Sequence, residues 1–360
     1  MQAQGFTGGS QLVSVIVVNW NRRALLQACL ASLGQEQGVP FEVIVVDNGS
    51  TDGSAEWVSS TRFAFPLRLI RNSENRGFCA ANNQGIAASQ GELIALLNND
   101  AEAGPGWLGH LARAFADPGV GMAASKILVW EEPGVIDKAG HLIWLDGQNR
   151  GRGHGERDAG QFDRFEEVLW PDGCACMLRR SMIEETGGFD EDFFAYGDDA
   201  ELGLRCRILG WRAVYVPEAR VLHHRGATLG PLSPARVALI ERNRILLAVK
   251  LFPGRLLWLN GVFFLARVAG ALLAAANRRG ELGRIRARGR LIGVMLAALK
   301  GQVEAIGLIP AMIRKRRQIL ARRRLTAAET ARLLLRHRIS LKELSTQTAP
   351  GASQPPPTAG

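Results

Sequence analysis

The sequence predicts an α/β protein whose mostly parallel sheet is flanked by helices. Short runs of β-branched and apolar residues recur over the first hundred residues, each run ends next to a polar residue, and stretches with helical spacing separate the runs. Near-continuous apolar runs are typical of strands buried on both faces, and their alternation with helices is typical of βαβ units. The 360 residues, 47% of them hydrophobic and 22% charged, leave room for one large domain and an appendage.

Four runs mark the predicted strands, and a helix is expected between the first two. The runs are VSVIVV ending at Asn19, EVIVV ending at Asp47, LRLI leading to Asn72, and ELIALL followed by Asn98, Asn99 and Asp100. Apolar residues recur with helical spacing from about residue 22 to residue 35. In open α/β sheets ligands bind beyond the carboxyl ends of the strands, so polar residues at four strand ends indicate a site, although Asn and Asp also begin turns.

The residues after the first strand exclude two kinds of phosphate-binding loop. A dinucleotide-binding fold would carry G-x-G-x-x-G where this chain has NWNRRALL, and no G-x-x-x-x-G-K-[ST] occurs anywhere. Bound phosphates would then need another source of positive charge. A divalent cation held by a carboxylate at a strand end would supply it, which makes Asp100 the candidate ligand.

A second acidic cluster lies in GGFDEDFFAYGDDAELGLRCRILGW. A helix is expected after Gly197, which puts Asp198 and Asp199 at its start, where the helix macrodipole favours negative charge. Helix capping alone would explain such residues. The aromatic residues just before Gly197 could instead desolvate one carboxylate and raise its pKa into the range of a general base.

Two histidines and two cysteines also suggest metal ligands. His223 and His224 follow the predicted strand AVYVPEARVL, and both a structural role and metal ligation stay open for them. Cys174 and Cys176 have no second pair at zinc-site spacing, so they are expected to be buried small residues. Five scattered cysteines and a start without signal-peptide layout predict a reducing, cytoplasmic environment.

The basic charge of the chain is concentrated near its C-terminus. Residues 276–325 include fourteen Lys or Arg and two Glu, so this segment carries more positive charge than the net +10 of the whole chain. Its two apolar stretches, 256–276 and 291–313, are each long enough to span a bilayer at ~20 residues. Arg267 would cost ~2.5–3.5 kcal/mol inside a membrane, and crossing would put an Arg-rich linker outside. We therefore expect two amphipathic or shallowly embedded helices on an anionic membrane surface, with a soluble helical subdomain as the alternative.

This pattern divides the chain into four parts. Residues 1–10 and 345–360 are rich in small residues or Pro and are expected to be disordered. Residues 11–253 form the predicted sheet domain, and residues 254–344 form the basic, apolar helical region.

Six segments together carry a family resemblance: VSVIVVNWN, VIVVDNGSTDGS, RNSENRGFCAANNQG, LIALLNNDAEAGPGWL, GGFDEDFFAYGDDAELGLRCRILGWR and VLHHRGATLG. In order and spacing they resemble bacterial glycosyltransferase family 2, notably its rhamnosyltransferase-like branch, over about residues 12–253. The resemblance implies a GT-A fold and transfer of a sugar from a nucleotide-diphosphate sugar with inversion at the anomeric carbon. It nominates Asp199 as the base, and Asp100 with His223 as ligands of Mg²⁺ or Mn²⁺.

The resemblance also implies binding residues for the two substrates. Those for the nucleotide are Asn19, Asp47, Asn75, Gly77 and Asn99, with Asp47 on the base of the nucleotide. Those for the acceptor are Trp170, Asp172, Gly173 and Asp198, although an ordinary sheet edge explains the stretch before Cys174 equally well. The chain departs from the family pattern at two positions, because the metal motif reads N-N-D rather than D-x-D, and Asp198 stands where Glu is usual.

We therefore expect a non-processive transferase of cell-envelope polysaccharide synthesis, since the Q-x-x-R-W of processive synthases is absent. Its expected partners are a dTDP- or UDP-sugar with rhamnose favoured, a lipid-linked saccharide acceptor and the cytoplasmic face of the inner membrane, bound peripherally or monotopically. No nucleic acid is expected, and a homo-oligomer is compatible with the sequence. Two alternatives fit less well. A sugar nucleotidyltransferase would carry a glycine-rich, basic signature after its first strand, which this chain lacks. A basic nucleic-acid-binding protein would leave the acidic edge of the sheet unexplained.

Overall fold

The computed structural model describes residues 11–225, 233–277, 280 and 291–346. Its strands are β1 Val13–Asn19, β2 Phe41–Asp47, β3 Leu67–Arg71, β4 Leu93–Leu97, β5 Ala101–Ala103, β6 Val120–Val129, β7 Glu132–Lys138, β8 His141–Ile143, β9 Asn149–Gly151, β10 Glu166–Glu167, β11 Ala175–Arg179 and β12 Arg212–His223. The four strands predicted from the apolar runs are confirmed as β1 to β4.

Twelve α-helices lie in the described residues. They are α1 Arg23–Leu33, α2 Ser54–Ser60, α3 Gly77–Ala88, α4 Trp107–Arg113, α5 Arg180–Thr186, α6 Asp198–Ile208, α7 Pro234–Leu251, α8 Gly254–Trp258, α9 Asn260–Ala276, α10 Leu291–Arg322, α11 Ala327–Arg336 and α12 Leu341–Thr346. Short 3₁₀ helices cover Ala114–Ala116 and Glu191–Phe193. The helices predicted after the first strand and after Gly197 are confirmed as α1 and α6.

Ten of the described strands form one mixed sheet in the order β10-β12-β6-β11-β4-β1-β2-β3, with β5 on β12 and β7 on β6. The strands β3, β2, β1 and β4 are parallel neighbours, as the βαβ pattern predicts. After the excursion through β7 to β10, β11 enters antiparallel to both β4 and β6. The parallel arrangement is therefore limited to this half of the sheet and to the pair of β6 and β12.

Successive strand residues point to opposite sides of the sheet, so apolar strands present an apolar surface on each side. Helices cover both of these surfaces. Val15 and Val17 pack with α1 and α4 in one apolar cluster, whereas Ile16 packs with α3 and α6 in the other. The carboxyl edge between these layers is where the polar strand ends meet.

The C-terminal helices pack on the sheet domain through α7. Helix α10 lies so close to α7 that a Cβ atom at Gly301 would clash with the Ala238 carbonyl oxygen. Small side chains on α10, among them Ala297 and Ala305, are buried at this contact. Close packing of these two helices therefore depends on small residues.

Arg267, which the sequence places unfavourably inside an apolar stretch, faces the sheet domain. Its guanidinium Nε lies 2.6 Å from Asp146 Oδ2, and its Nη2 lies 2.8 Å from Glu241 Oε1. If the opposite face of α9 contacted lipid, the Arg267 side chain would therefore remain in contact with the protein. By length and composition, helix α10 could cross a membrane, and 17% of its most apolar 18-residue stretch is buried.

Several predicted features fall on residues that the structure does not describe. They are residues 1–10, the positions 226–228 that follow the histidine pair, most of the Arg-rich linker, and the tail from residue 347. The predicted tail begins at Ser345, whereas α12 continues to Thr346.

Candidate active site

A cleft of about 900 Å³ opens at the carboxyl edge of the parallel strands. Its wall is built by the residues that follow β1, β2 and β4, by the first residues of α3 and α6, and by one side of α7. Most residues predicted for substrate binding from the sequence lie in this wall or directly beneath it.

Three predicted nucleotide-binding residues form one buried chain of hydrogen bonds. The register of β1 and β2 puts Asn19 opposite Asp47. Asn99 Nδ2 donates to Asn19 Oδ1 at 2.7 Å, and Asn19 Nδ2 donates to Asp47 Oδ2 at 3.1 Å. Asp47 Oδ1 accepts the Ser50 amide at 2.9 Å. These contacts fix the shape of the edge, because buried polar groups are costly unless paired.

The other two predicted nucleotide-binding residues are joined by Asn48, which the sequence analysis missed. Asn48 Nδ2 donates to Asn75 Oδ1 at 2.9 Å and to the Gly77 carbonyl oxygen at 3.2 Å. Gly77 has φ +84°, and a Cβ atom there would lie 2.5 Å from the Phe194 ring. Only glycine suits this position, since it tolerates both the left-handed backbone and the close approach.

The two predicted metal ligands lie side by side because β5 pairs antiparallel with β12. Ala101 is the register partner of His223, which brings His223 Nε2 within 3.5 Å of Asp100 Oδ1. His224 points elsewhere, with its ring stacked on Trp130 and its Nε2 2.6 Å from Glu102 Oε1. The strand alternation thus brings one histidine of the pair, His223, to the cleft.

The donor atoms of this pair suit a divalent cation. Asp100 Oδ1 is buried and accepts no hydrogen bond from any described residue. The carboxylate oxygen is a ligand that Mn²⁺ and Mg²⁺ prefer, and the imidazole nitrogen beside it is a ligand of transition metals such as Mn²⁺. Residues Asp100 and His223 could therefore hold the ion, although the N-N-D motif supplies a single carboxylate.

Asp137 on β7 supports His223 and was not found from the sequence. His223 Nδ1 lies 2.8 Å from Asp137 Oδ2, an arrangement that fixes the ring of a metal-binding histidine. Burial disfavours the charged imidazole, but Cys174, Asp100 and Asp137 outweigh it and raise the pKa of His223 well above its usual value. No motif marks Asp137, because it lies in the antiparallel excursion outside the βαβ pattern.

Asp198 and Asp199 begin α6 and both line the cleft. Burial raises the pKa of the Asp199 carboxyl, with His141 and Lys138 opposing the shift and Asp172 adding to it. Burial and the charge of Asp199 raise the pKa of Asp198 well above its usual value. A carboxylate with a raised pKa is a stronger general base, provided that it is ionised at the working pH.

The loop before α6 is held in a strained conformation by α7. Phe194 and Tyr196 have φ of 61° and 66°, values that are costly for bulky residues. Asn243, which is 1% exposed, donates from Nδ2 to the carbonyl oxygens of Phe193, Ala195 and Tyr196 at 2.6–2.9 Å. Helix α7 thereby fixes the loop that delivers the two carboxylates.

The predicted acceptor residues separate into two groups. Asp172 and Gly173 line the cleft, and a Cβ atom added at Gly173 would lie 3.7 Å from Asp199 Cβ. Trp170 is fully buried, and its ring stacks on His141 with centroids 5.9 Å apart. Trp170 is thus behind the cleft wall, which corrects the expectation that it faces the acceptor.

His141 and Lys138 complete the cluster around these acids, and neither was found from the sequence. His141 Nε2 lies 2.7 Å from Asp172 Oδ2 and 3.4 Å from Asp199 Oδ2. Lys138 Nζ lies 2.6 Å from the same oxygen of Asp172. The atoms of His141, Asp172 and Asp199 are near enough to share a cation, but Lys138 already places a positive charge on Asp172.

The mixed sheet with this polar edge and acid-lined cleft is the GT-A fold of glycosyltransferases. A solved structure with this fold is the mannosyltransferase PcManGT from Pyrobaculum calidifontis in complex with GDP-Man and Mn²⁺. The chain is similar to it with a TM-score of 0.51 and 22% identity, over 90% of this chain and 86% of that one.

The family model described as Glycosyl transferase family 2 matches residues 14–187, and the chain belongs to this family. It is 32% identical to the O-antigen biosynthesis protein RfbC of Myxococcus xanthus, over 61% of this chain and 18% of that protein. It is 29% identical to an N-acetylglucosaminyl-diphospho-decaprenol L-rhamnosyltransferase of Mycobacterium tuberculosis, over 61% of this chain and 78% of that protein. The chain spans a quarter or less of the length of two curated relatives that it matches, RfbC among them.

Proposed function

We propose that the chain is an inverting, non-processive glycosyltransferase that moves a sugar from a nucleotide-diphosphate donor to a saccharide hydroxyl. One observation carries the proposal: the carboxylate pair at the start of α6, the neighbouring Asp100 and His223, and the asparagine-rich edge all belong to one cleft. A base, a site for a charged leaving group and a polar nucleotide edge are the three parts that such a transfer needs.

In this proposal Asp199 is the general base. Its carboxylate takes the proton of the acceptor hydroxyl while the acceptor oxygen bonds to the anomeric carbon and the bond from that carbon to the diphosphate oxygen breaks. A divalent cation held by Asp100 and His223 would neutralise charge on the departing diphosphate. Asp172, Gly173 and Asp198 line the acceptor side, which must exclude water because water would otherwise accept the sugar.

The names of the relatives support a choice of substrates. One relative is named for O-antigen biosynthesis and another for transferring L-rhamnose to a decaprenol-linked saccharide. We propose a dTDP- or UDP-activated sugar, with rhamnose favoured, and a lipid-linked saccharide acceptor in cell-envelope polysaccharide synthesis.

A lipid-linked acceptor would suit the outward face of α9 and α10. Apolar side chains there are more than half exposed, among them Leu265, Ile292, Leu296 and Val303. Exposed apolar patches of this kind, beside many Lys and Arg, favour an anionic membrane surface. We propose that the chain binds peripherally to the cytoplasmic face of the inner membrane through this face, called here the α9–α10 face.

Transfer can be tested with the purified full chain, a polyprenyl-diphospho-saccharide acceptor and a panel of dTDP-, UDP- and GDP-sugars, with Mg²⁺ or Mn²⁺. We expect a nucleoside diphosphate and a product with inverted anomeric configuration, and Asp199→Asn should lower kcat by about 10³-fold. The matched control is Asp117→Asn, because the Asp117 carboxylate is exposed and is not among the residues that line the cleft. Release of pyrophosphate from a nucleoside triphosphate would favour a nucleotidyltransferase, and full activity of Asp199→Asn would refute the assignment of the base.

A further inference from the structure

The side chain of His141 lies between two carboxylates of the cleft. Its Nε2 is 2.7 Å from Asp172 Oδ2 and 3.4 Å from Asp199 Oδ2. Lys138 and His141 hold the pKa of Asp172 below its usual range despite burial, so Asp172 is a hydrogen-bond acceptor. The Nε2 atom, 2.7 Å from Asp172 Oδ2, must therefore carry the proton of this hydrogen bond, since an ionised carboxylate can only accept.

The surroundings of His141 leave its ring little freedom. The residue is 5% exposed, and its ring stacks on the fully buried Trp170. Asp172 is itself fixed, because its Oδ1 accepts the Cys174 amide at 2.8 Å while Lys138 holds Oδ2. The imidazole is thus attached to a rigid anchor on one side and faces Asp199 on the other.

We propose that His141 is the positioning residue for the base, a role that rests on the proposed function. The Ala200 amide donates to Asp199 Oδ1 at 2.7 Å, and His141 Nε2, whose hydrogen is donated to Asp172 Oδ2, lies 3.4 Å from Asp199 Oδ2. The hydrogen bond on Oδ1 and the electropositive edge of the imidazole beside Oδ2 together orient the carboxylate. A base held in one orientation reaches the acceptor proton without first losing rotational freedom, which is where positioning accelerates a reaction.

The same atoms argue against a cation between His141, Asp172 and Asp199. Two ligands of one Mg²⁺ or Mn²⁺ would point their lone pairs at the ion, whereas the 2.7 Å contact between His141 and Asp172 is a direct hydrogen bond. Lys138 Nζ occupies the remaining side of the shared Asp172 oxygen. The cluster is therefore a hydrogen-bonded acid–base group, separate from the pair of Asp100 and His223.

Removing the imidazole should also change the pH dependence. His141 faces two carboxylates, and Asp199 is faced by a larger set of titratable groups. That set consists of His141, Asp172, Lys138, Asp198 and the Cys176 thiol. Because His141 opposes the rise in the pKa of Asp199, its loss should raise that pKa further and move the acidic limb of kcat/KM to higher pH.

The kinetic test compares His141→Ala, His141→Gln and the control His110→Ala, a histidine on α4 outside the cleft lining. We expect His141→Ala to lower kcat by about 30- to 100-fold, with the donor KM within about threefold of wild type and the acidic limb displaced upward. Glutamine keeps an N–H near the Nε2 position, so His141→Gln should stay within about fivefold of wild type. Unchanged kcat and an unchanged pH profile in His141→Ala would overturn the proposal, as would a loss confined to donor KM.

A second measurement does not need transfer activity. In ¹⁵N-detected spectra of the full chain, which has six histidines, His141→Gln assigns the resonance of this ring. We expect the tautomer protonated at Nε2, and we expect its Nε2 resonance to move in Asp199→Asn. A ring protonated only at Nδ1, or one insensitive to Asp199→Asn, would overturn the positioning role. If no donor supports transfer while the spectra behave as expected, the proposed function fails and the contact stands.

Discussion

The cleft region and the α9–α10 face differ in which side chains they bury and which they expose. Around the cleft, ionised side chains are buried and paired, as in the network of Lys250 with Asp190 and Glu201. On the α9–α10 face, apolar side chains are exposed: of the eighteen large apolar residues exposed in the described chain, fourteen lie between Trp258 and Ile313. A buried charge is tolerated only with its partner present, and an exposed apolar face is favourable only when something covers it.

This contrast shows which interactions hold each region together. The buried ion pairs beside the cleft have their partners within the protein, so a change there should act on folding and chemistry. The outer side of α9 and α10 makes few contacts with the rest of the chain, so a change there should leave folding intact and act on whatever binds the face. Two substitutions separate these expectations.

The largest effect on stability is expected at Lys250. Its side chain is 3% exposed, and its Nζ lies 2.5 Å from Asp190 Oδ2 and 2.6 Å from Glu201 Oε1. Lys250→Met would leave Lys315 on Asp190 and Arg205 on Glu201, but with excess negative charge in a buried site. We expect a loss of about 3 kcal/mol in the free energy of unfolding by urea denaturation.

The control for Lys250→Met is Lys342→Met, the same substitution at an exposed lysine of α12. Exposed substitutions of this kind usually change stability by less than about 0.5 kcal/mol. Equal stabilities of the two variants would show that the buried network does not hold the cleft region together. Vesicle binding should be unchanged in Lys250→Met wherever the protein remains folded.

The α9–α10 face should show the reverse behaviour. The variant Leu296→Asp with Val303→Asp puts two charges on side chains that are 62% and 59% exposed. We expect its melting temperature to match wild type and its binding to phosphatidylcholine–phosphatidylglycerol vesicles to fall by at least about tenfold, because each aspartate opposes both apolar insertion and the anionic surface.

The matched control is Phe165→Asp, since Phe165 is 59% exposed but lies in the excursion between β9 and β10. It should bind vesicles as wild type does in a flotation assay. Undiminished binding of the double variant, or no binding of wild type to anionic vesicles, would contradict a membrane role for this face. A fall in melting temperature would instead indicate that the face packs within the protein.

The sequence predicts the parallel half of the molecule well because one local pattern governs it. Each strand there is an apolar run that ends in a polar residue, so β1 to β4 and the residues Asn19, Asp47 and Asp100 could be found without knowledge of packing. Asn48 was missed although it follows Asp47 directly, because its importance arises from contacts with Asn75 and Gly77 that the chain order does not reveal.

The other half of the site could not be predicted in the same way. Asp137, Lys138 and His141 lie on short antiparallel strands of the excursion, where neither an apolar run nor a motif marks a functional residue. They reach the cleft because β7 pairs with β6, which is adjacent to the strand that carries His223. In the sequence, Arg267 is likewise an isolated charge inside an apolar stretch, because its partners Asp146 and Glu241 are distant along the chain.

The smallest predicted effect concerns the seam between the C-terminal segment and the sheet excursion. His337 lies there, and its carbonyl oxygen accepts the Ile143 amide at 3.1 Å. Burial, together with the charges of Arg207 and Arg336, lowers the pKa of His337 to about 4. Its Nε2 atom is buried and has no hydrogen-bond partner in the described chain.

A lowered histidine pKa means that the unfolded chain binds more protons than the folded chain between pH 6.5 and 4. The stabilising contribution of the neutral His337 ring to the free energy of unfolding is therefore present above pH 6.5 and is lost as the pH falls toward 4. Because the side chain is partly solvated, we expect this contribution to change the free energy of unfolding by only on the order of 1 kcal/mol between pH 7.5 and 5.0. In urea titrations at these two pH values, His337→Gln should remove that difference. His110→Gln is the control. A wild-type pH dependence retained in His337→Gln would show that the charge of this ring does not weaken the seam, and that the C-terminal segment is held there by apolar and backbone contacts alone.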